Sequence, residues 1–292
     1  MGMRNSAQSF QRLIQEVLRD IPGIFVYLDD VLVFSKDRRS HLATVELVLK
    51  RLENAGLTLA LNKCKFGVSE LEYLGYHVSK EGIRPVEKKI EAISKFPKPI
   101  KQKQLLAFLG AINYYRASLP SLDPVDPTAK PRPPAEILEP LYKLATCDIP
   151  KGTKFEEIWE NSACVKEAFE NAKILLQKAV TLNYPRPNAP LALTTDASKV
   201  GLGATLDQYV DGAWRPLGMW SKALKIPQRG YSTYKRELMA ILYAMRHFNE
   251  EFAGRPITIF TDRLPITKTF SSNTLQAHDP QVLNAINEIE DN

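Results

Sequence analysis

Two adjacent aspartates, Asp29 and Asp30, stand between apolar runs in the stretch IFVYLDDVLVFS. A buried carboxylate is costly unless a cation or hydrogen-bond donors compensate it, and two readings account for the pair. In one, the aspartates are turn residues, since aspartate bonds its own local backbone. In the other, they are oxygen ligands for a hard divalent cation such as Mg²⁺, presented at the acidic tip of a hairpin. Successive strand residues point to opposite faces, so both can ligate only where a turn breaks the alternation. A two-metal centre for phosphoryl transfer would also need a carboxylate from another strand.

The elements that must position these residues follow from periodicity. Phe10, Leu13, Ile14, Val17 and Leu18 share one face of a helix that ends at Ile21-Pro22-Gly23. IFVYL and VLVF then form the hairpin, and a second helix carries Leu42, Val45, Leu49 and Leu52 as its stripe before Gly56. EYLGYHVSKEGIRPV reads as another hairpin, turning at Glu81-Gly82, with Pro85 opening a helix. In KQKQLLAFLGAINYYRASL, Leu105, Phe108, Leu109, Ile112 and Tyr115 point inward. Seven prolines between Pro120 and Pro140 predict an extended linker and a domain boundary. After a short helical stretch and a second proline-marked joint at NYPRPNAP, the pattern becomes three strands, an amphipathic helix and a strand, a compact α/β domain of about 80 residues.

Charge is unevenly placed. Residues 1–120 carry a net +7 and the remainder −1. The basic density peaks at Arg84, Lys88, Lys89, Lys95, Lys98, Lys101 and Lys103. That cluster fits either a polyanionic partner or a solvated helix face. Cys64, Cys147 and Cys164 are scattered with no CxxC, which argues against a disulfide framework or a structural zinc site. The longest apolar runs fall short of a membrane span, and the first residues lack the apolar core of a signal peptide, so an intracellular chain with no membrane partner is expected.

The ordered set FVYLDDVLVFS, HLATVELVLKRLENAGLTLALNKCKFGVSELEYLGYHVSKEGIRP and FPKPIKQKQLLAFLGAINYYR resembles the second half of the palm and the start of the thumb of reverse transcriptases from gypsy-type long-terminal-repeat retrotransposons. The family's Tyr-x-Asp-Asp box falls on Tyr27, Leu28, Asp29 and Asp30. Tyr73, Leu74, Gly75 and Tyr76 resemble the hairpin that grips the primer terminus. LTTDASKVGLGATL, PLGMWSKAL, YSTYKRELMAILYAMRHF and ITIFTDRLPI resemble the ribonuclease H domain that follows the polymerase in these elements.

The resemblance implies an α/β (α+β) chain. Residues 1–84 would be the C-terminal half of the palm, 85–119 a thumb-like helical segment, 120–187 a proline-rich linker and connection, and 188–292 a ribonuclease H-like mixed sheet with helices. It implies metal-binding, catalytic roles for Asp29, Asp30, Asp196, Glu237 and Asp262, two-metal sites filled by Mg²⁺ or Mn²⁺, and an RNA–DNA hybrid or primer–template as partner. Asp196 and Asp262 end apolar strands, where a sheet edge presents side chains to a cleft. Glu237 borders the face made by Leu238, Ile241, Leu242, Met245 and Phe248.

The pattern also has gaps. The palm strand with a further aspartate, the fingers and the fourth ribonuclease H carboxylate find no matching motif; Asp279 and Asp291 are merely nearby acids. A region truncated at both ends is therefore expected, completed by upstream palm and fingers sequence, and the chain alone is not expected to polymerise DNA. A non-enzymatic nucleic-acid binder, using the basic segment, is the competing expectation.

Overall fold

The computed structural model describes residues 5–123, 130–150, 152–252 and 254–261. The chain divides into two compact units, Met1–Ser69 and Glu70–Asn292.

In the first unit, helix α1 (Ser6–Val17) precedes a hairpin of β1 (Ile24–Tyr27) and β2 (Asp30–Val33), and helix α2 (Arg38–Asn54) follows. Asp37 starts α2 by accepting the Ser40 N–H at 2.9 Å. Ile14, Leu18, Ile21, Val48 and Leu52 form the core, and Ile24, Val26, Val31 and Val33 lay one hairpin face against it. The buried stripe is narrower than the periodicity predicts: Leu13 and Leu42 are exposed. Only the Ile24/Val26/Val31/Val33 face of the two-stranded sheet is covered, Phe25 and Tyr27 on the other face being exposed, so the outer positions of each helix stay in solvent.

The second unit opens with an antiparallel meander of β3 (Leu71–Tyr73), β4 (Tyr76–Ser79) and β5 (Gly82–Pro85). Its second turn is Lys80-Glu81, one residue earlier than the sequence suggests, because Ser79 pairs with Gly82. Gly82 has φ +136°, and a Cβ there would lie 2.2 Å from the Leu182 carbonyl oxygen. That close approach permits the antiparallel Ile83–Leu182 bridge, with both hydrogen bonds at 2.8 Å.

Helices α3 (Glu87–Ser94), α4 (Gln102–Tyr114), α5 (Pro134–Thr146), α6 (Phe155–Asn161) and α7 (Ala163–Gln177) share one hydrophobic core. Phe108 is its centre, fully buried, with ring centroids 5.3 Å from Phe96 and 4.5 Å from Phe169. Helix α5 occupies part of the proline-rich stretch that reads as linker. Pro134 sits in its first turn, where the missing N–H costs nothing. Ile137, Leu138, Leu141 and Leu144 supply a buried stripe, so packing outweighs the lost bond at Pro140, which lies inside the helix.

The remaining layer is a four-stranded sheet in the order β8 (Ala213–Ala223), β7 (Gly201–Val210), β6 (Leu191–Ala197), β9 (Ile257–Phe260), antiparallel except for the β6–β9 pair. Helix α8 (Ile226–Arg229) leads to α9 (Thr233–His247), and α10 (Asn249–Phe252) follows it. On β7, Leu202, Ala204 and Leu206 join the core with Leu238, Ile241 and Met245 of α9. The alternate residues Gly201 and Gly203 lie on the opposite face beneath Pro133 and Glu136. Among the described residues, no helix is long and apolar enough to cross a membrane.

Truncating Phe108 should empty the centre of the helical layer. Phe108→Ala is expected to cost about 3–5 kcal/mol in urea denaturation, while Leu106→Ala, at a half-exposed position, should change stability by no more than about 0.5 kcal/mol. Equal effects would contradict the packing described.

Candidate functional site

The aspartate pair sits at a hairpin tip. Tyr27 pairs with Asp30, so Leu28 and Asp29 form the two-residue turn. The turn breaks strand alternation, and both carboxylates are exposed, which answers how the apolar flanks tolerate them. Leu28 takes φ +49°, a left-handed conformation costing a non-glycine residue roughly 1–2 kcal/mol. Gln11 of α1 offsets that strain. Its side-chain oxygen accepts the Leu28 N–H at 2.6 Å and its amide donates to the Val26 carbonyl at 3.1 Å.

The meander repeats this device. Leu74 and Gly75 form the turn between Tyr73 and Tyr76, with φ of +46° and +78°. The end of α4 holds it: the Tyr114 hydroxyl donates to the Leu74 carbonyl, and the Tyr115 hydroxyl to the Gly75 carbonyl at 3.2 Å. The Tyr76 hydroxyl donates in return to the Tyr114 carbonyl at 2.9 Å, and its ring packs 5.6 and 5.2 Å from those of Tyr114 and Tyr115. Tyr115 is buried, whereas Tyr114 keeps half its surface exposed.

Two further acids come together on the four-stranded sheet. Asp196, near the end of β6, pairs across the ladder with Gly203 and so shares its face. Glu237, near the start of α9, is fully buried. One ammonium joins them: Lys130 Nζ lies 2.9 Å from Asp196 Oδ1 and 3.6 Å from Glu237 Oε1. Two carboxylates converging on a single cation form the donor set a hard divalent ion takes, so these residues fit such an ion. Among the described residues, no third acid, histidine or cysteine completes a cluster; Asp262 lies outside the described residues.

Comparison with known proteins bears on both sites. A family model described as reverse transcriptase (RNA-dependent DNA polymerase) matches residues 1–78, and one described as RNase H-like domain found in reverse transcriptase matches residues 161–259. The Retrovirus-related Pol polyprotein from transposon gypsy of Drosophila melanogaster is 37% identical over 274 residues, 91% of this chain and 25% of the polyprotein. That from transposon 297 is 34% identical over 267 residues, 91% and 23% respectively.

The chain belongs to the reverse transcriptase–ribonuclease H region of gypsy-type Pol polyproteins.

It spans about a quarter of the length of these curated relatives. The fold agrees. A structure of the foamy viral protease-reverse transcriptase in complex with double-stranded DNA superimposes with a TM-score of 0.76 at 21% identity, over 100% of this chain and 48% of that one. A second, in complex with an RNA/DNA hybrid, gives 0.72 at 22% identity over 100% and 37%.

In this Pol segment the basic residues are not equivalent. Arg84 pairs with Glu87 at 3.9 Å, Lys95 with Glu91 at 2.5 Å, and Lys98 with Glu160. Lys88, Lys89, Lys101 and Lys103 are exposed, and no ion pair engages them among the described residues. Periodicity and motif matching missed Gln11, Lys130 and the carbonyl-binding role of Tyr114. Gln11 and Tyr114 act on backbone groups far along the chain, and Lys130 lies in a proline-rich stretch with no periodic signal.

The tyrosine cluster makes this part of the Pol segment sensitive to alkali. Burial pushes the Tyr76 hydroxyl up to about 12, with Tyr114 and Tyr115 adding to it. Below pH 10 the tyrosine is neutral in both folded and unfolded chains. Above pH 10 the unfolded chain ionises first, so stability drains between pH 10 and about 12. Tyr76→Phe should flatten that loss, read as the change in urea midpoint between pH 9 and pH 11; an unaltered loss would assign it to other groups.

Proposed function

We propose that this chain grips a primer–template or RNA–DNA hybrid and cleaves the RNA strand of a hybrid through Asp196 and Glu237. The observation that carries the reading is the convergence of a strand carboxylate and a buried helix carboxylate on one cation. Asp196 and Glu237 would hold Mg²⁺ or Mn²⁺, and Asp262 is proposed as a further ligand. When bound, the ions would activate water and stabilise the leaving oxygen of the scissile phosphate. Burial of Glu237 excludes bulk water from one side of the site, which strengthens its hold on a cation.

The same reading assigns residues 1–84 to the palm, 85–119 to the thumb, 120–187 to the connection and 188–292 to the ribonuclease H-like domain. Asp29 and Asp30 are assigned as metal ligands for DNA synthesis, a reaction of the longer polyprotein that needs a carboxylate beyond those the described residues bring to that tip. Tyr27 is assigned to nucleic-acid binding beside the aspartate pair, and Tyr73, Leu74, Gly75 and Tyr76 to the primer terminus, on a turn fixed by two tyrosine hydroxyls.

The test is cleavage of a labelled RNA–DNA hybrid. Asp196→Asn should lower the rate by on the order of 100-fold or more while hybrid affinity stays within about twofold of the parent chain. A variant that cleaves normally would remove Asp196 from the chemistry.

A second reading, binding without cleavage, rests on the four exposed lysines, Lys88, Lys89, Lys101 and Lys103, that no ion pair engages among the described residues. Replacing Lys88 and Lys89 by alanine should weaken hybrid binding and reduce the slope of log K against log salt by about one for each phosphate no longer neutralised. Lys98→Ala, at a position already paired with Glu160, should leave the slope unchanged. Equal slopes in all three chains would place the binding surface elsewhere.

A further inference from the structure

We propose that Lys130 is a built-in competitor for the divalent ion at Asp196 and Glu237, so that metal binding requires its ammonium to be displaced. This rests on the reading of those two acids as metal ligands.

The lysine is delivered to the site by fixed backbone. Leu122 and Arg132 form an antiparallel bridge with hydrogen bonds of 2.9 and 2.8 Å. Arg132 reaches Glu167 at 3.4 Å, and the Ala135 N–H donates to Ser221 Oγ at 3.1 Å. Pro133 rests on β7 at Gly203, where a Cβ would come within 3.1 Å of the proline Cβ. Gly203 is the ladder partner of Asp196. The missing side chain on β7 therefore lets the segment two and three residues beyond Lys130 lie beside the carboxylate that Lys130 binds.

The electrostatics then favour a cation in this place at all times. A fully buried carboxylate such as Glu237 needs a compensating charge, and Lys130 supplies one without any metal. A divalent ion seeking the same two oxygens meets a like charge at close range, a repulsion that partial burial leaves only weakly screened. Lys130 itself is 42% exposed, so its long side chain can swing into solvent when an ion takes its place.

The experiment is a titration of the full chain with Mn²⁺, followed by the loss of the free-ion electron paramagnetic resonance signal. Lys130→Met should bind Mn²⁺ on the order of tenfold more tightly than the parent chain. In the absence of metal it should melt at a lower temperature and recover more on adding Mg²⁺. Lys130→Arg, which keeps the charge, should stay near the parent. If Lys130→Met binds no more tightly while Asp196→Asn weakens binding, the competition is overturned and the metal site stands. If neither the parent chain nor Lys130→Met binds Mn²⁺, both fail together.

Discussion

Two missing side chains on one strand set the terms for the larger unit. Gly201 and Gly203 leave room on β7 for Pro133 and Glu136 to lie against the sheet, so the chain entering α5 packs directly on the strand that neighbours β6. The helical layer is thereby anchored to the mixed sheet, and Asp196 gains a neighbouring chain that carries a cation. A Cβ at either glycine would come within 3.1–3.3 Å of that chain and press it a few tenths of an ångström away from the sheet. The first sign would be separation of Lys130 from its carboxylates rather than collapse of the hydrophobic core, because Leu202 and Leu206 face the other way.

Both hairpins place a leucine in left-handed backbone at their tips, where glycine or asparagine would be comfortable. In each case a helix supplies side chains that bind the turn's own backbone: an amide from α1, two tyrosine hydroxyls from the end of α4. Conformational strain held by polar groups of this kind fixes a tip more narrowly than an unstrained turn does. Narrow placement is what a tip needs if the residues beside it are to meet a phosphate or a primer end.

Much of this was legible in the sequence, and the limits have physical causes. The alternation of IFVYLDDVLVF shows a hairpin, and the ladder duly runs from Ile24–Val33 to Tyr27–Asp30. Helix α9 follows its periodicity, whereas β6 and β7 read as apolar runs because both of their faces are covered, one by α9 and the other, at Gly201 and Gly203, by the chain entering α5. Helix α5 was masked by proline count: Pro134 is harmless at a helix start, and Pro140 is outweighed by the leucines around it. The shared partner of Asp196 and Glu237 was illegible because Lys130 lies 66 positions from the first and still farther from the second, and such an ion pair leaves no local pattern. The structure alone separates lysines already paired with glutamates from those facing solvent.

The bridge between Ile83 and Leu182 carries a consequence for the order of assembly. It joins positions about a hundred residues apart, and the chain entropy given up in closing such a loop must be met before the bridge returns anything. Most of the intervening sequence is helical, stabilised first by neighbours a turn away. Once α3 to α7 have condensed on Phe108, the effective loop is far shorter, and β5 can meet Leu182 across Gly82 at little further cost. The hairpins of the meander close locally, so the contact-order argument makes its attachment to Leu182, and not the meander itself, the step that depends on a condensed helical layer.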